Sequence, residues 1–157
     1  MGDWIEEGKK APAFTLPADD GTKVRLSDQK GSPVVLYFYP KDDTPGCTQE
    51  ACAFRDRSEE LCQYGAKVFG ISPDSVESHA RFRAKYQLNF PLLADPDHHV
   101  AEKYGAWREK NMYGKKSMGI QRSTFLIDAG GKLAKIWTRV QVADHDQQVL
   151  DALKQLA

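Results

Sequence analysis

Three cysteines stand among 157 residues, at positions 47, 52 and 62, and the first has the neighbours that make a thiol reactive. Cys47 closes the run Thr44-Pro45-Gly46-Cys47. Thr is a preferred helix N-cap and Pro a preferred first helical residue, so the thiol falls in the first turn of a helix. Backbone N–H groups there have no intrahelical acceptor, and the helix dipole is positive at that end. Both favour the thiolate, which is the nucleophilic form; an unperturbed thiol of pKa about 8.5 is only a few per cent ionised at neutral pH. Cys47, Ala51, Phe54, Ser58 and Leu61 recur at helical spacing, one apolar face that shelters the sulfur. Burial alone disfavours the anion, so the free N–H groups, the Thr44 hydroxyl and an arginine must outweigh it. Spacing alone leaves a catalytic and a buried structural cysteine both open. Gly46, which lets a ligand approach the backbone closely, favours function.

The elements that must position this residue alternate between strand and helix patterns. Ala13–Leu16 and Lys23–Leu26 flank Asp19-Asp20-Gly21 as an N-terminal hairpin, and Pro33–Tyr39 reads as a central strand covered on both faces. The reactive helix runs on from Thr44 to a stop at Gly65. Ala66–Ser72 is a second strand, Pro73-Asp74-Ser75 opens a helix reaching about Tyr86, and Phe90–Ala94 and a short helix near Val100–Tyr104 follow. Ser123–Asp128 and Lys132–Trp137 surround Ala129-Gly130-Gly131 as a hairpin, and Val149, Ala152, Leu153 and Leu156 mark a closing amphipathic helix. The segment Gly105–Gly119, with Lys110, Lys115 and Lys116, reads as a mobile surface loop rather than as the rim of a site. The order predicts an α/β protein of thioredoxin-like fold: a central mixed β-sheet flanked by helices, with an added N-terminal β-hairpin, in a single domain over residues 1–157.

Composition narrows the function classes. Lys+Arg and Asp+Glu are equal at 22 each, so no bulk field draws nucleic acid or anionic lipid. No apolar run approaches the roughly 18 residues that span a membrane, and the residues after Met1-Gly2 lack a signal peptide's apolar core. Glu6 stands where a myristoylation motif has Ser or Thr. A cytoplasmic location is the expectation. Three cysteines, an odd number, do not make a secreted disulfide framework, and any bridge in a reducing compartment is expected to be transient.

The run Pro40-Lys-Asp-Asp-Thr44-Pro-Gly-Cys47 resembles the Pro-x-x-x-Thr-x-x-Cys signature of peroxiredoxins, and its continuation to Cys52-Ala-Phe-Arg-Asp56 is similar to the bacterioferritin-comigratory, or Q-type, subfamily. Gly8–Leu16, Gly70–Asp74, Phe90–Asp95 and Gly119–Asp128 extend the resemblance along nearly the whole chain. It implies a thiol peroxidase that needs no cofactor. Cys47 corresponds to the peroxidatic cysteine, whose thiolate attacks a hydroperoxide and becomes a sulfenic acid. Thr44 would direct its hydroxyl at the sulfur and the peroxide, Pro40 would shield the sulfur, and Arg122 would hold the thiolate and polarise the O–O bond. The resemblance also implies Cys52 as the resolving thiol, thioredoxin or a similar dithiol protein as reductant, and a monomer, since an internal bridge requires no second subunit. At i+5 on a helix, Cys52 lies about 7.5 Å along the axis and some 140° around from Cys47. That separation exceeds disulfide reach, so a Cys47–Cys52 bridge requires the first turns to unwind. Cys62, ten residues on, is read as packing.

Other chemistries fit less well. Thr44 occupies the place of the first thiol of a Cys-x-x-Cys pair, which argues against a thiol–disulfide exchange protein. The cysteines with His79, His98, His99 and His145 lack the close spacing of structural zinc sites, and His98-His99 reads as a solvated turn. A redox sensor that is oxidised once without turnover uses the same low-pKa chemistry and stays open.

Overall fold

Val34–Phe38 is apolar at every position, and a strand of that kind needs a packed layer on each face. The computed structural model, which describes residues 4–156 and of Met112 the backbone alone, supplies both layers; the Met1-Gly2 terminus lies outside the described residues. In chain order the elements are β1 (Thr15–Pro17), β2 (Lys23–Arg25), a 3-10 turn (Leu26–Gln29), β3 (Val34–Phe38), α1 (Pro45–Asp56), α2 (Ser58–Gln63), β4 (Lys67–Ser72) and α3 (Val76–Tyr86). There follow β5 (Leu92–Ala94), α4 (His99–Tyr104), β6 (Trp107–Met112), β7 (Lys115–Ile120), β8 (Ser123–Ile127), β9 (Leu133–Trp137) and α5 (His145–Leu156).

The main sheet has the order β5-β4-β3-β8-β9, with β3, β4 and β5 parallel and β8 and β9 antiparallel to their neighbours. This is the thioredoxin-like mixed sheet, and the β1–β2 hairpin is the N-terminal addition. Side chains alternate along β3. Leu36 and Phe38 face Phe69, Ile71 and Phe125 beneath the N-terminal hairpin and α4. Val35, Tyr37 and Tyr39 face the other way, onto Cys47, Ala51 and Phe54 of α1, Phe82 of α3 and Val149 and Leu153 of α5. The reactive helix is thus fixed to the sheet by its buried stripe.

Two elements differ from the reading of the sequence. The helix expected from Thr44 to Gly65 breaks at Arg57, whose backbone (φ −94°, ψ 4°) leaves the helical region between α1 and α2. Arg57 Nε donates to Asp146 of α5 at 2.8 Å and its Nη1 to Glu60, so the break is held by a distant helix. The second difference is the segment Gly105–Gly119, which is no irregular loop. It holds the antiparallel β6–β7 hairpin, in register from Trp107↔Ile120 to Met112↔Lys115. Tyr113 and Gly114 turn it with positive φ (55° and 80°), as two-residue hairpin loops require.

Candidate active site

The chain leaves β3 through Tyr39 and turns over Pro40–Thr44 into α1. That turn is anchored on α3. Asp42 is buried and accepts from the Tyr39 hydroxyl at 2.6 Å and the Ser78 hydroxyl at 2.8 Å, and it pairs with His79 Nδ1 at 2.7 Å. His79 is fully buried, and its Nε2 lies 3.0 Å from the Leu93 carbonyl. The Asp42 N–H donates to Asp74 at 2.8 Å. Asp42, Asp74 and His79 form the cluster of potential metal ligands found among the described residues. Their polar atoms are engaged with one another and with Tyr39, Ser72 and Ser78, so the cluster acts as the turn's fastening.

Cys47 follows in the first turn of α1, 1% exposed, facing the apolar layer of Tyr37, Tyr39 and Phe54. Arg122 reaches it from across the sheet. β8 runs antiparallel to β3 with Ser123 opposite Phe38, so residue 122 emerges beside the end of β3, where α1 begins. One guanidinium nitrogen, Nη2, donates to the Cys47 sulfur at 3.3 Å, and the other, Nη1, donates to Glu50 Oε1 at 2.6 Å. Burial works against the Arg122 charge, but Glu50 and Cys47 together hold it above its ordinary range. Gly46 makes this approach possible: a Cβ there would stand 3.1 Å from Arg122 Nη2. The glycine serves a side chain of the protein itself.

Glu50 is a feature the sequence reading missed. Burial pushes its carboxyl up to about 7, against the pull of Arg122. Tyr37 was read only as core, yet its buried hydroxyl has no hydrogen-bond partner, and burial, Glu50 and Cys47 hold its proton well above the ordinary phenol range. The β6–β7 hairpin, expected to be a mobile loop, borders the site. Lys110 of β6 lays its aliphatic chain over Gly119, and its charge is felt by both Arg122 and Cys47.

The other expected residues are placed as follows. Thr44 holds the N-cap position of α1 with extended backbone (φ −97°, ψ 158°), but its hydroxyl makes no cap. It donates instead to the Lys41 carbonyl at 2.9 Å, not to the sulfur as anticipated, because the tight turn brings that carbonyl within reach. Pro40 is half-buried at the start of the turn. Cys52 is half-buried in the same helix as Cys47, and Cys62 is exposed on α2, not in the packing position expected, because its neighbour Leu61 takes the buried face of that helix. All three thiols are free. His98 follows the turn at 96–97 half-buried, its ring lying flat on Trp107 with centroids 3.7 Å apart, and His99 is exposed.

A buried thiol at a helix N-terminus beside a half-buried guanidinium has the setting for attack on an electrophilic oxygen, and known proteins share the frame that holds it. Residues 7–136 match the model of the AhpC/TSA family. Peroxiredoxin Bcp of Bacillus subtilis is 51% identical over 98% of this chain and 98% of its own. The structure of the Xanthomonas campestris bacterioferritin comigratory protein superposes with a TM-score of 0.91 at 41% identity, covering 96% of this chain and 99% of that one. A variant of Xylella fastidiosa PrxQ superposes with a TM-score of 0.93 at 36% identity, covering 99% of both chains. By sequence and by fold, then, the chain belongs to the AhpC/TSA family as a peroxiredoxin of the Bcp, or Q, type.

Proposed function

We propose that this peroxiredoxin reduces hydrogen peroxide and alkyl hydroperoxides with Cys47 as nucleophile and Cys52 as the resolving thiol. The observation that carries the reading is the 3.3 Å contact from Arg122 to a sulfur buried in the first turn of α1. The alkyl peroxide reduction attributed to the Xanthomonas protein supports the substrate class. In the first step the Cys47 thiolate attacks one peroxide oxygen. The S–O bond forms, the O–O bond breaks, and the electron pair departs on the second oxygen, which takes a proton from solvent and leaves as water or alcohol. Cys47 is oxidised by two electrons to the sulfenic acid. Arg122 stabilises the charge that moves from sulfur to oxygen, and its guanidinium is already in place before the peroxide arrives. Pro40 limits access of water to the sulfur, and Thr44 presents its hydroxyl oxygen to the peroxide while donating to Lys41.

In the second step the Cys52 thiol attacks the sulfenic sulfur; the S–S bond forms and the hydroxyl leaves as water. Both residues lie within α1, so its first turns must unwind. Those turns are poorly fastened. The N-cap hydroxyl is turned away, no acidic residue stands in the first turn, and Gly46 follows Pro45. A missing cap and a glycine each weaken a helix by about 1 kcal/mol. A dithiol protein such as thioredoxin then reduces the bridge. No cofactor enters, since sulfur carries both electrons, and one chain in the cytoplasm suffices.

Peroxide consumption coupled to thioredoxin tests the reading. Cys47→Ser is expected to consume none, and Cys52→Ser to consume one equivalent and then stall or over-oxidise. Full turnover by Cys52→Ser with thioredoxin alone rejects Cys52 as resolver. A single round without turnover in the wild type returns the protein to the class of redox sensors.

A further inference from the structure

Glu50 is the charged residue on the buried stripe of α1, three residues after Cys47 and two before Cys52. Its side chain is 2% exposed, and its two oxygens have unlike surroundings. Oε1 accepts from Arg122 Nη1 at 2.6 Å, while Oε2 is buried and meets no hydrogen-bonding group of the protein. A bare carboxylate oxygen in such a place is strongly disfavoured, and a neutral carboxyl much less so. The count of charges gives the same answer. Arg122 touches two acids, Cys47 and Glu50, and can balance one anion. With the sulfur ionised and the carboxyl neutral, the three groups sum to zero; with both acids ionised, a net negative charge is buried.

The groups around the cluster supply little relief. Tyr37, from β3, keeps its proton because burial, Glu50 and Cys47 all oppose its loss. Lys110, from β6, is half-buried, and burial and Arg122 both lower its pKa, against the pull of Cys47. His145, from α5, is pushed toward its neutral form by burial, with a smaller contribution in the same direction from Arg122.

We propose that Glu50 is a positioning residue for the Cys47 reaction that acts in its neutral form, leaving the Arg122 guanidinium to the sulfur and to the departing oxygen. Ionised, Glu50 draws that charge to itself and slows oxidation of the sulfur. The proposal rests on the reading of Cys47 as the nucleophile, and it adds an acidic group whose charge switches the strength of the site across neutral pH.

Stopped-flow tryptophan fluorescence of the reduced protein mixed with hydrogen peroxide, from about pH 5.5 to about pH 8.5, tests this directly. The wild-type second-order rate constant is expected to fall roughly tenfold across a limb centred near 7, where the Glu50 carboxyl titrates. Glu50→Gln retains an amide oxygen for Arg122 and cannot ionise; it is expected to lack that limb and to outpace the wild type at the alkaline end. A limb that persists in Glu50→Gln, or a wild type with no such limb, overturns the proposal. Infrared difference spectroscopy of the wild type gives a second reading that needs no variant: a protonated-carboxyl band present on the acid side of 7 and lost above it. Absence of that band on the acid side also overturns the proposal. Cys47→Ser separates the two readings, because a fluorescence change with peroxide in that variant refutes the nucleophile itself and not Glu50.

Discussion

α1 and α3 pack on the same face of the sheet and differ in how their ends are held. In α3 the Ser75 hydroxyl accepts from the Ser78 N–H at 3.1 Å, Glu77 complements the positive end of the dipole, and Arg83 and Lys85 the negative end. Its chain exits through Gln87 in the left-handed region, with the Leu88 N–H returning to the Arg83 carbonyl at 3.0 Å. α1 has none of these devices at its start, where Thr44 spends its hydroxyl on Lys41. Its first turns are held by the buried stripe and by Arg122, which grips Cys47 and Glu50 together. A helix fastened by local caps stays folded whatever the state of the sulfur. In the proposed cycle, one fastened through the Cys47 sulfur is free to loosen once that sulfur is oxidised, at the step where unwinding is needed.

The contrast can be broken at several points. Arg122→Met removes both the grip and the transition-state charge, and is expected to slow oxidation of Cys47 by about a hundredfold to a thousandfold in stopped flow. Asp42→Ala detaches the active-site turn from α3, because Tyr39, Ser78 and His79 lose their shared acceptor. Urea unfolding should show a loss of about 3 kcal/mol.

Glu50 gives a pH dependence of comparable size. Its folded-state pKa of about 7 lies above the ordinary 4.5, so the folded protein binds more protons than the unfolded chain between those values. The stabilisation is complete below the lower value and is lost as pH rises through the upper one, by on the order of 3 kcal/mol. Glu50→Gln should flatten that slope in urea titrations across the same window.

Two smaller changes act on the helix starts. Ser75→Ala should cost about 1 kcal/mol of stability through the lost cap and leave peroxide reduction unchanged. Gly46→Ala is expected to do the opposite. Its Cβ would crowd Arg122 Nη2 at 3.1 Å and slow the first step several-fold. Helix propensity, worth up to about 1 kcal/mol, favours the alanine, so the unfolding midpoint should not fall.

What the sequence disclosed follows from how local its signals were. The apolar run of β3, the start of α1 at Thr44-Pro45 and the two hairpins around Asp19-Asp20-Gly21 and Ala129-Gly130-Gly131 are each written within a few residues, and each is found where it was read, with strand ends shifted by a residue or two. The β6–β7 hairpin was obscured because its strands carry Lys110, Lys115 and Lys116 and Tyr113 takes the turn position where Asn or Asp is the usual sign. The break at Arg57 depends on Asp146, 89 residues away, and no periodicity reports such a partner. Cys47 and Thr44 were visible from spacing, but Arg122 needed the family resemblance, since an isolated arginine has no local mark. Glu50 was overlooked because a glutamate is ordinarily solvated, even on a helix with an apolar face. Its place at i+3 from Cys47 puts it on the sulfur's side of the helix, which was the available clue. Asp42 and His79, 37 residues apart, become a pair only when the fold closes.

The account turns on which two sulfurs join after one round of oxidation. Reduced protein given one equivalent of hydrogen peroxide, then alkylated, digested and weighed by mass spectrometry, answers this. A Cys47–Cys52 bridge, with the intact mass lower by two hydrogens and Cys62 alkylated, is the predicted result. An alkylated, unoxidised Cys47, or a bridge that includes Cys62 in its place, would contradict it.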